Sequence, residues 1–466
     1  MKVLYAVSEA VPCVKTGGLA DVAGSLPKAL REQGADVRVV LPLYGSIGSE
    51  WRLKMNFCFY TFINLAWRRQ YCGVFSLEYD GLVWYFIDNE YYFKRDGIYG
   101  CFDDGERFAF FSRAVLDVLP LLDWQPEIIS CNDWQTALIP IYAAQDGGGI
   151  KTVFTIHNIE YQGRFGTECL SDVFGLSDEL FSGGILRYED GLNLMKGAIY
   201  KADRVTTVSP SYAHELHDPF FANGLDRVVE DNAYKLTGIL NGLDTVRYDP
   251  MTDVNLSKNY GPDKPEGKAA CRVALCRELG LEESDTPIIA CVSRLVSHKG
   301  FDLVEAAFDR IVSRGAKFII LGTGEEKYES FFRRAEDQYK GRVSANIMYS
   351  DKRASLIYAG ADMMLMPSRS EPCGLTQMIA MRYGTVPVVR EVGGLRDSVR
   401  PYPSEDSTGF TFCWYSADDM ASVLGYAIDI WYDKDKWSEL VARDMSEDLS
   451  WSRSANEYKK IYESLI

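Results

Sequence analysis

A chain of 466 residues, 47% hydrophobic and 25% charged, is globular in character and long enough for two domains of roughly 200 residues each. Its 66 acidic residues against 50 basic ones leave a net charge of −16, which argues against nucleic acid or an anionic membrane as partner and permits a neutral polymer. No stretch of about 18 apolar residues offers a membrane span; eleven cysteines without a Cys-x-x-Cys pair, and four histidines, argue against structural zinc and for reduced thiols in the cytosol.

The predicted elements alternate strand and helix. Residues 2–7 are a short apolar run of β-formers that leads straight into Glu9, a buried strand rather than a signal peptide. A glycine loop follows at Thr16-Gly17-Gly18. Leu19, Val22, Ala23, Leu26 and Leu30 then recur at helical spacing until Gly34. Residues 37–41 are the next strand, closed by Pro42. This βαβ opening marks a parallel sheet covered on both faces. Residues 51–88 break the pattern: Phe57, Phe59, Tyr60, Phe62, Tyr71, Val74, Phe75, Leu77 and Trp84, around the turn Asp80-Gly81, predict a hairpin-rich insertion. Phe108, Phe111, Val115 and Leu119 predict a core-facing helix. Further strands are predicted at 128–130, 152–156, 205–208 and 238–240, with a helix over 134–144. Composition turns polar over 250–283, so the boundary is placed near 243–253, dividing residues 1–245 from 246–449. The second half predicts strands at 288–292, 318–321, 345–348, 363–366 and 386–389, with helices between them. Residues 450–466 carry a final helix. Both halves therefore read as doubly wound α/β domains. In such pairs ligands sit at the carboxyl ends of the strands, in a cleft between domains.

Four strings at strand ends carry chemistry. In Lys15-Thr16-Gly17-Gly18-Leu19-Ala20-Asp21, a cation precedes two glycines and a helix start, a combination that suits phosphate. After the strand at 288–292 come Ser293-Arg294-Leu295 and His298-Lys299-Gly300. An arginine fork and a lysine point charge can together neutralise a pyrophosphate. Gly322-Thr323-Gly324 lacks the third glycine of a dinucleotide fingerprint, so it reads as a glycine turn near a nucleotide rather than an NAD site. Most specific is Pro367-Ser368-Arg369-Ser370-Glu371-Pro372-Cys373-Gly374-Leu375-Thr376-Gln377. It presents Glu371 on a short loop before a helix whose first N–H groups would face an anion. A carboxylate beside a phosphate subsite is costly unless it binds sugar hydroxyls or meets developing positive charge. His157, Asn241 and Asp133 fall at further strand ends, where sugar hydroxyls need such partners.

Together these strings resemble the bacterial glycogen synthase and plant starch synthase family, over essentially the whole chain. Lys15–Leu19, 155–162, 240–244, 293–300, 367–377 and 393–397 carry the likeness. The resemblance implies a retaining glycosyltransferase with the GT-B fold, two Rossmann-like domains facing a deep cleft. It assigns Lys15, Gly17 and Gly18 to the donor phosphates and Asp21 to the donor ribose. Arg294 and Lys299 are assigned to the pyrophosphate, and Tyr349 to the nucleotide base. His157, Asn241, Asp133, Glu371, Cys373 and Gly374 would surround the transferred glucose, with Leu375 and Thr376 offering backbone groups to the phosphate. Gly322 would line the donor side; Asn158, Tyr161 and Gln162 would lie on the glucose and acceptor side. The last helix is expected to cross back onto the first domain. Many other retaining GT-B enzymes carry a second glutamate eight residues after the first; here that position is Ile379. Around Asp133-Trp134 the histidines often found nearby are also missing.

The resulting expectation is transfer of glucose from ADP-glucose to the non-reducing end of an α-1,4-glucan, glycogen or starch, with retention of configuration. No metal or other cofactor is expected, since no Asp-x-Asp string accompanies the donor cluster. The alternatives are a GT-B enzyme using another glucosyl donor, such as UDP-glucose, and a non-catalytic glucan-binding or regulatory relative. With no transit peptide or added carbohydrate-binding module in the sequence, a cytoplasmic bacterial enzyme is expected, and a plastid one only if this is a mature form.

Overall fold

Eighteen strands and the helices between them are seen in a computed structural model that describes residues 1–466 except Gly148. In the first half they are β1 (Lys2–Ala6), β2 (Asp36–Pro42), β3 (Asn56–Leu65), β4 (Arg68–Tyr79), β5 (Leu82–Asp88), β6 (Ile128–Asn132) and β7 (Lys151–Ile156). They continue with β8 (Arg164–Gly166), β9 (Arg187–Tyr188), β10 (Gly191–Asn193), β11 (Arg204–Thr207) and β12 (Leu236–Gly238). The second half holds β13 (Ile288–Val292), β14 (Lys317–Leu321), β15 (Val343–Asn346), β16 (Met363–Met366), β17 (Val386–Arg390) and β18 (Phe410–Phe412).

The chain divides into two compact units, Met1–Gly242 with Trp451–Ile466, and Leu243–Ser450. The first is built on a nine-stranded sheet of order β12-β11-β7-β6-β1-β2-β5-β4-β3. The strands from β12 to β5 are parallel, and β4 and β3 add an antiparallel hairpin edge. Every residue of β6, and all of β7 but Lys151, is buried, as helices on both faces require. Each fully buried Val or Ile there contributes about 1.5–3 kcal/mol. Helix Gly18–Glu32 lies against β2 and also against the terminal helix Ser452–Glu463. That last helix buries Tyr458 and Tyr462. The Tyr462 hydroxyl bonds Ser130 Oγ at 3.2 Å, and Lys459 Nζ donates to the Gln33 carbonyl at 2.8 Å.

The second unit has a six-stranded parallel sheet of order β15-β14-β13-β16-β17-β18. The sequence leaves the first strand, β13, on one side for β14 and on the other for β16. The order therefore reverses between β13 and β16, the switch point at which open α/β sheets bind ligands. In the first unit the same reversal falls between β1 and β6, because β2 and β6 flank β1.

Some elements differ from expectation. The strand predicted at 238–240 runs from Leu236 to Gly238. A Cβ at Gly238 would lie 2.3 Å from the Ser209 carbonyl oxygen, and beyond this glycine the chain leaves the sheet. The strand predicted at 345–348 runs from Val343 to Asn346; Met348 and Tyr349 are exposed beyond it. Predicted helix 134–144 opens as a single 3-10 turn, Trp134–Thr136, and becomes α-helical at Leu138–Gln145. Strand β18, only three residues long, was not predicted.

Candidate functional site

At the carboxyl end of β1 the chain turns through Glu9 into the Lys15–Gly18 loop. Glu9 is 3% exposed, and its Oε2 accepts the Thr16 hydroxyl at 2.8 Å and the Gly17 N–H at 3.3 Å, along with the Thr16 N–H. Burial pushes this carboxyl above its ordinary range, against the pull of the three hydrogen bonds. Lys15 Nζ pairs with Asp21 at 2.8 Å, one turn into the following helix. Gly17, Gly18 and the two charges thus form one braced loop. Its brace, Glu9, escaped the sequence reading because nothing local ties position 9 to positions 16 and 17.

Asp133 follows β6 with φ of +55°, in the left-handed region. This twist turns its carboxylate onto the neighbouring strand end. Oδ1 accepts the N–H of His157 at 2.7 Å and of Asn158 at 3.3 Å. Burial raises its pKa to about 7. Asn132 Nδ2 donates to the Ala6 carbonyl at 2.9 Å, and the Tyr5 hydroxyl donates to its Oδ1 at 2.9 Å. The amide oxygen therefore faces His157 Nε2, 2.8 Å away, so Nε2 carries the proton and Nδ1 the lone pair. Burial pushes the histidine pKa down to about 3, leaving a neutral ring. A neutral imidazole with a fixed acceptor nitrogen is suited to a hydroxyl and unsuited to an anion.

The other predicted residues of this unit divide. Asn241 lies 5% exposed, its Oδ1 without a partner among the described residues, as does Gln135 Oε1 beside Asp133. Buried acceptors of this kind are what a ligand's hydroxyls satisfy. Asn158 Oδ1 accepts the Glu160 N–H at 3.0 Å, shaping the turn that presents Tyr161, which is exposed. Gln162 is hydrogen-bonded within the fold. It is 3% exposed; its Oε1 accepts from Arg164 and Asn193, and its Nε2 donates to the Asn223 carbonyl at 3.1 Å. These bonds brace the turn.

In the second unit, the loops after β13 and β16 meet at the switch point. Lys299 Nζ pairs with Glu371 Oε2 at 2.6 Å, both largely buried, and Ser368 Oγ donates to the same oxygen at 2.9 Å. Arg294, on the same loop as Lys299, is exposed and has no ion-pair partner among the described residues. Backbone groups lock this arrangement. Leu295 N–H bonds the Thr323 carbonyl at 2.9 Å, and Glu325 N–H bonds the Leu295 carbonyl at 2.7 Å. Gly322, at φ +156°, lets the Ser293 carbonyl come so close that a Cβ would sit 1.8 Å from it. The glycines at 322 and 324 therefore seat the Arg294 loop. The Glu371 loop is held from below: a Cβ on Gly393 would lie 2.0 Å from the Glu371 carbonyl oxygen. Gly394 N–H donates to that carbonyl at 3.1 Å, and Arg390 Nη1 donates to the Arg369 carbonyl at 2.9 Å.

Gly374, at φ +74°, turns the chain into helix Thr376–Arg382, with buried Cys373 before it and Leu375 as its first flanking residue. Gln377 Nε2 fixes that turn by donating to the carbonyls of Cys373 and Gly374 at 3.1 and 2.9 Å. Thr376 Oγ1 reaches the Val292 carbonyl at 3.4 Å, tying the helix start to β13. Tyr349, 73% exposed beyond β15, offers an open ring steadied by a 3.0 Å bond from its hydroxyl to Asp351. So the structure brings Arg294, Lys299, Glu371 and the Gly374–Thr376 turn to one sheet end.

Residues 2–231 match the family model of the starch synthase catalytic domain, and residues 277–440 that of glycosyl transferases group 1. The glycogen synthase of Clostridium botulinum is 46% identical over 100% of this chain and 99% of its own length. That of Anoxybacillus flavithermus is also 46% identical, over 100% of this chain and 98% of its own. Among solved structures, the catalytic domain of starch synthase IV from Arabidopsis thaliana, bound to ADP and acarbose, superposes with a TM-score of 0.92. It is 33% identical, and 99% of each chain is covered. Sucrose-phosphate synthase from Thermosynechococcus elongatus, 16% identical with a TM-score of 0.63 over 100% of this chain and 98% of its own, shares the fold alone. Two doubly wound units, the cation–carboxylate loops at their strand ends and full-length identity near one half make the fold GT-B and place this chain in the glycogen and starch synthase family of glycosyltransferases.

Proposed function

We propose that the enzyme transfers glucose from ADP-glucose to the non-reducing end of an α-1,4-glucan and retains the anomeric configuration. The observation that carries this reading is the Lys299–Glu371 pair beside Arg294, which has no ion-pair partner among the described residues, at the β13/β16 switch point. As the glucosyl bond breaks, negative charge grows on the departing diphosphate. Lys299, Arg294 and the first N–H groups of helix Thr376–Arg382 stabilise it, with Lys15 and the Gly17–Gly18 loop assigned to the same phosphates. The base is assigned to Tyr349 and the ribose to Asp21. Adenine as the base is supported by the ADP-bound Arabidopsis relative.

Glu371 carries the opposite charge and faces the sugar: it meets the positive charge that develops at the anomeric carbon and its ring oxygen. Neutral His157 accepts a hydroxyl at Nδ1, and Asn241 accepts another at Oδ1, which has no partner among the described residues. The position eight residues beyond Glu371 is Ile379, and Glu371 itself is bonded by Lys299 and Ser368. Both features favour same-face attack, with the departing phosphate taking the acceptor's proton, over a covalent glucosyl–Glu371 intermediate.

The test is proton NMR of maltotriose incubated with ADP-glucose or UDP-glucose. The proposal expects a new α-1,4 anomeric signal from the first turnover, faster with ADP-glucose. A β-linked first product contradicts retention, and a preference for UDP-glucose contradicts the donor assignment.

A further inference from the structure

Behind His157 a chain of buried polar groups crosses the middle of the first unit's sheet. The order β7-β6-β1 sets three strand ends side by side. Tyr5 of β1 pairs with Ser130 of β6, and Asn132, the last residue of β6, pairs with Thr155 of β7, two residues before His157. Residues two apart on a strand share a face, so Ser130 and Asn132 look the same way and Tyr5 reaches Asn132 across one strand gap. Tyr5 and Asn132 are each 1% exposed, whereas His157, just past its strand, is partly open.

Asn132 completes its hydrogen bonds within the fold. Its Nδ2 donates to the Ala6 carbonyl at 2.9 Å and to the Ser130 carbonyl at 3.4 Å. Its Oδ1 accepts the Tyr5 hydroxyl at 2.9 Å and lies 2.8 Å from His157 Nε2. Two N–H donors and two lone pairs are thus all engaged. Turning the amide over would set its oxygen against two carbonyl oxygens, so its orientation is forced. An oxygen fixed beside Nε2 in turn forces the ring's proton onto that nitrogen. No protein donor meets Nδ1 among the described residues.

We propose that Asn132, steadied by Tyr5, is a positioning residue that holds His157 in one orientation and one tautomer, so that Nδ1 only accepts and the sugar group facing it is a hydroxyl that donates. The ligand half of this proposal rests on the glucosyl-transfer reading above; the tautomer half does not. An amide kept only to close the end of β6 would need no more than its two carbonyl partners. Here the oxygen is presented to the ring as well, and Tyr5 takes its second lone pair, so the ring is tied back through two fully buried residues to β1. A neutral amide is also the fitting partner. A carboxylate at position 132 would favour a doubly protonated ring, whose Nδ1 donates and no longer selects a donor. A site built to accept from a hydroxyl discriminates against an analogue that cannot donate, because the buried acceptor is then left unmet.

Nitrogen-15 NMR of the full chain labelled at its four histidines tests the tautomer without substrate. His157, identified by the lines that vanish in His157→Gln, should show a protonated Nε2, a bare Nδ1 and an Nε2 proton that exchanges slowly with water. Asn132→Leu, similar in shape but without the acceptor, should lose that slow proton. Asn132→Asp, which keeps an acceptor oxygen in place, should retain it. The ligand half is tested with ADP-glucose analogues carrying fluorine in place of one hydroxyl at a time, since fluorine cannot donate. In the unmodified enzyme one analogue should be disfavoured, and in Asn132→Leu that penalty should shrink by about three- to tenfold, the worth of one neutral hydrogen bond. Comparing variants cancels the electronic effect of the fluorine. A proton on Nδ1 in the unmodified enzyme, a slow Nε2 proton that survives in Asn132→Leu, or its loss in Asn132→Asp overturns the proposal. So do analogue penalties that Asn132→Leu leaves unchanged. If Asn132→Leu does not fold, the spectra of the unmodified enzyme and of Asn132→Asp still decide. Absence of turnover on ADP-glucose itself would count against the glucosyl-transfer reading alone, so the two failures are distinguishable.

Discussion

Asp133 and His157 show how far single residues are tuned by burial. Both sit at strand ends in the sequence, so their candidacy was legible there. Their roles were not, because these depend on partners brought from β1 and β7. Asp133 spends Oδ1 on two backbone N–H groups, those of His157 and Asn158. Its folded-state pKa, near 7, lies above the unfolded value of about 3.9. The folded protein therefore holds this proton more tightly. Asp133's contribution to stability is full below about pH 4, falls as pH rises, and is flat above about 7. Asp133→Asn keeps an acceptor for the His157 N–H and removes the ionisation. Denaturant midpoints of the two proteins should diverge in the variant's favour between pH 4 and 7 and run parallel above. Curves parallel throughout would contradict the burial argument.

At the scale of elements, the strands that place the site were readable because their apolar runs are uninterrupted and end at glycine or charge. Those misplaced by two residues, β12 and β15, end where glycine packing or a neighbouring strand's exit stops the ladder, which hydrophobicity does not report. Phe410-Thr411-Phe412 is too short to have a period, so β18 stayed hidden. The Gly393-Gly394 string was visible as a motif, but its purpose, supporting the Glu371 carbonyl, is a long-range packing fact. Gly393→Ala must push a methyl into that carbonyl at φ +44°. It should cost about 1–3 kcal/mol of stability and displace Glu371, lowering kcat more than it raises KM for the donor. Unchanged kcat would mean that the loop is free to relax.

A second element-level case lies in helix Lys434–Ser446. Asp444 is fully buried, and neither carboxylate oxygen has a partner among the described residues. Burial, with Glu447 nearby, raises its pKa well above the ordinary value. Since the folded pKa exceeds the unfolded one, the cost of this residue grows as pH rises above about 4. Asp444→Asn should raise stability by about 1–3 kcal/mol at pH 8 and by less at pH 5, read from thermal midpoints. A lower midpoint at pH 8 would show that the carboxyl is needed as it stands.

For the whole molecule, two sheets with the same device at their switch points account for a chain of this length and for the spread of its motifs. Each unit sets its charged loops at strand carboxyl ends, where buried parallel strands stop together and N–H groups and side chains face outward. Composition gave the two-domain scale.

The account rests on Lys299 and Arg294 stabilising a departing nucleoside diphosphate. ADP release from ADP-glucose, with and without glycogen, by the unmodified enzyme and by Lys299→Ala and Arg294→Ala, tests it most directly. The account predicts glycogen-dependent release that falls about 10²–10³-fold in each variant, with the thermal midpoint little changed in Arg294→Ala and lowered in Lys299→Ala, which leaves Glu371 buried without its partner. Near-normal release by either variant, or no release by the unmodified enzyme, would contradict it.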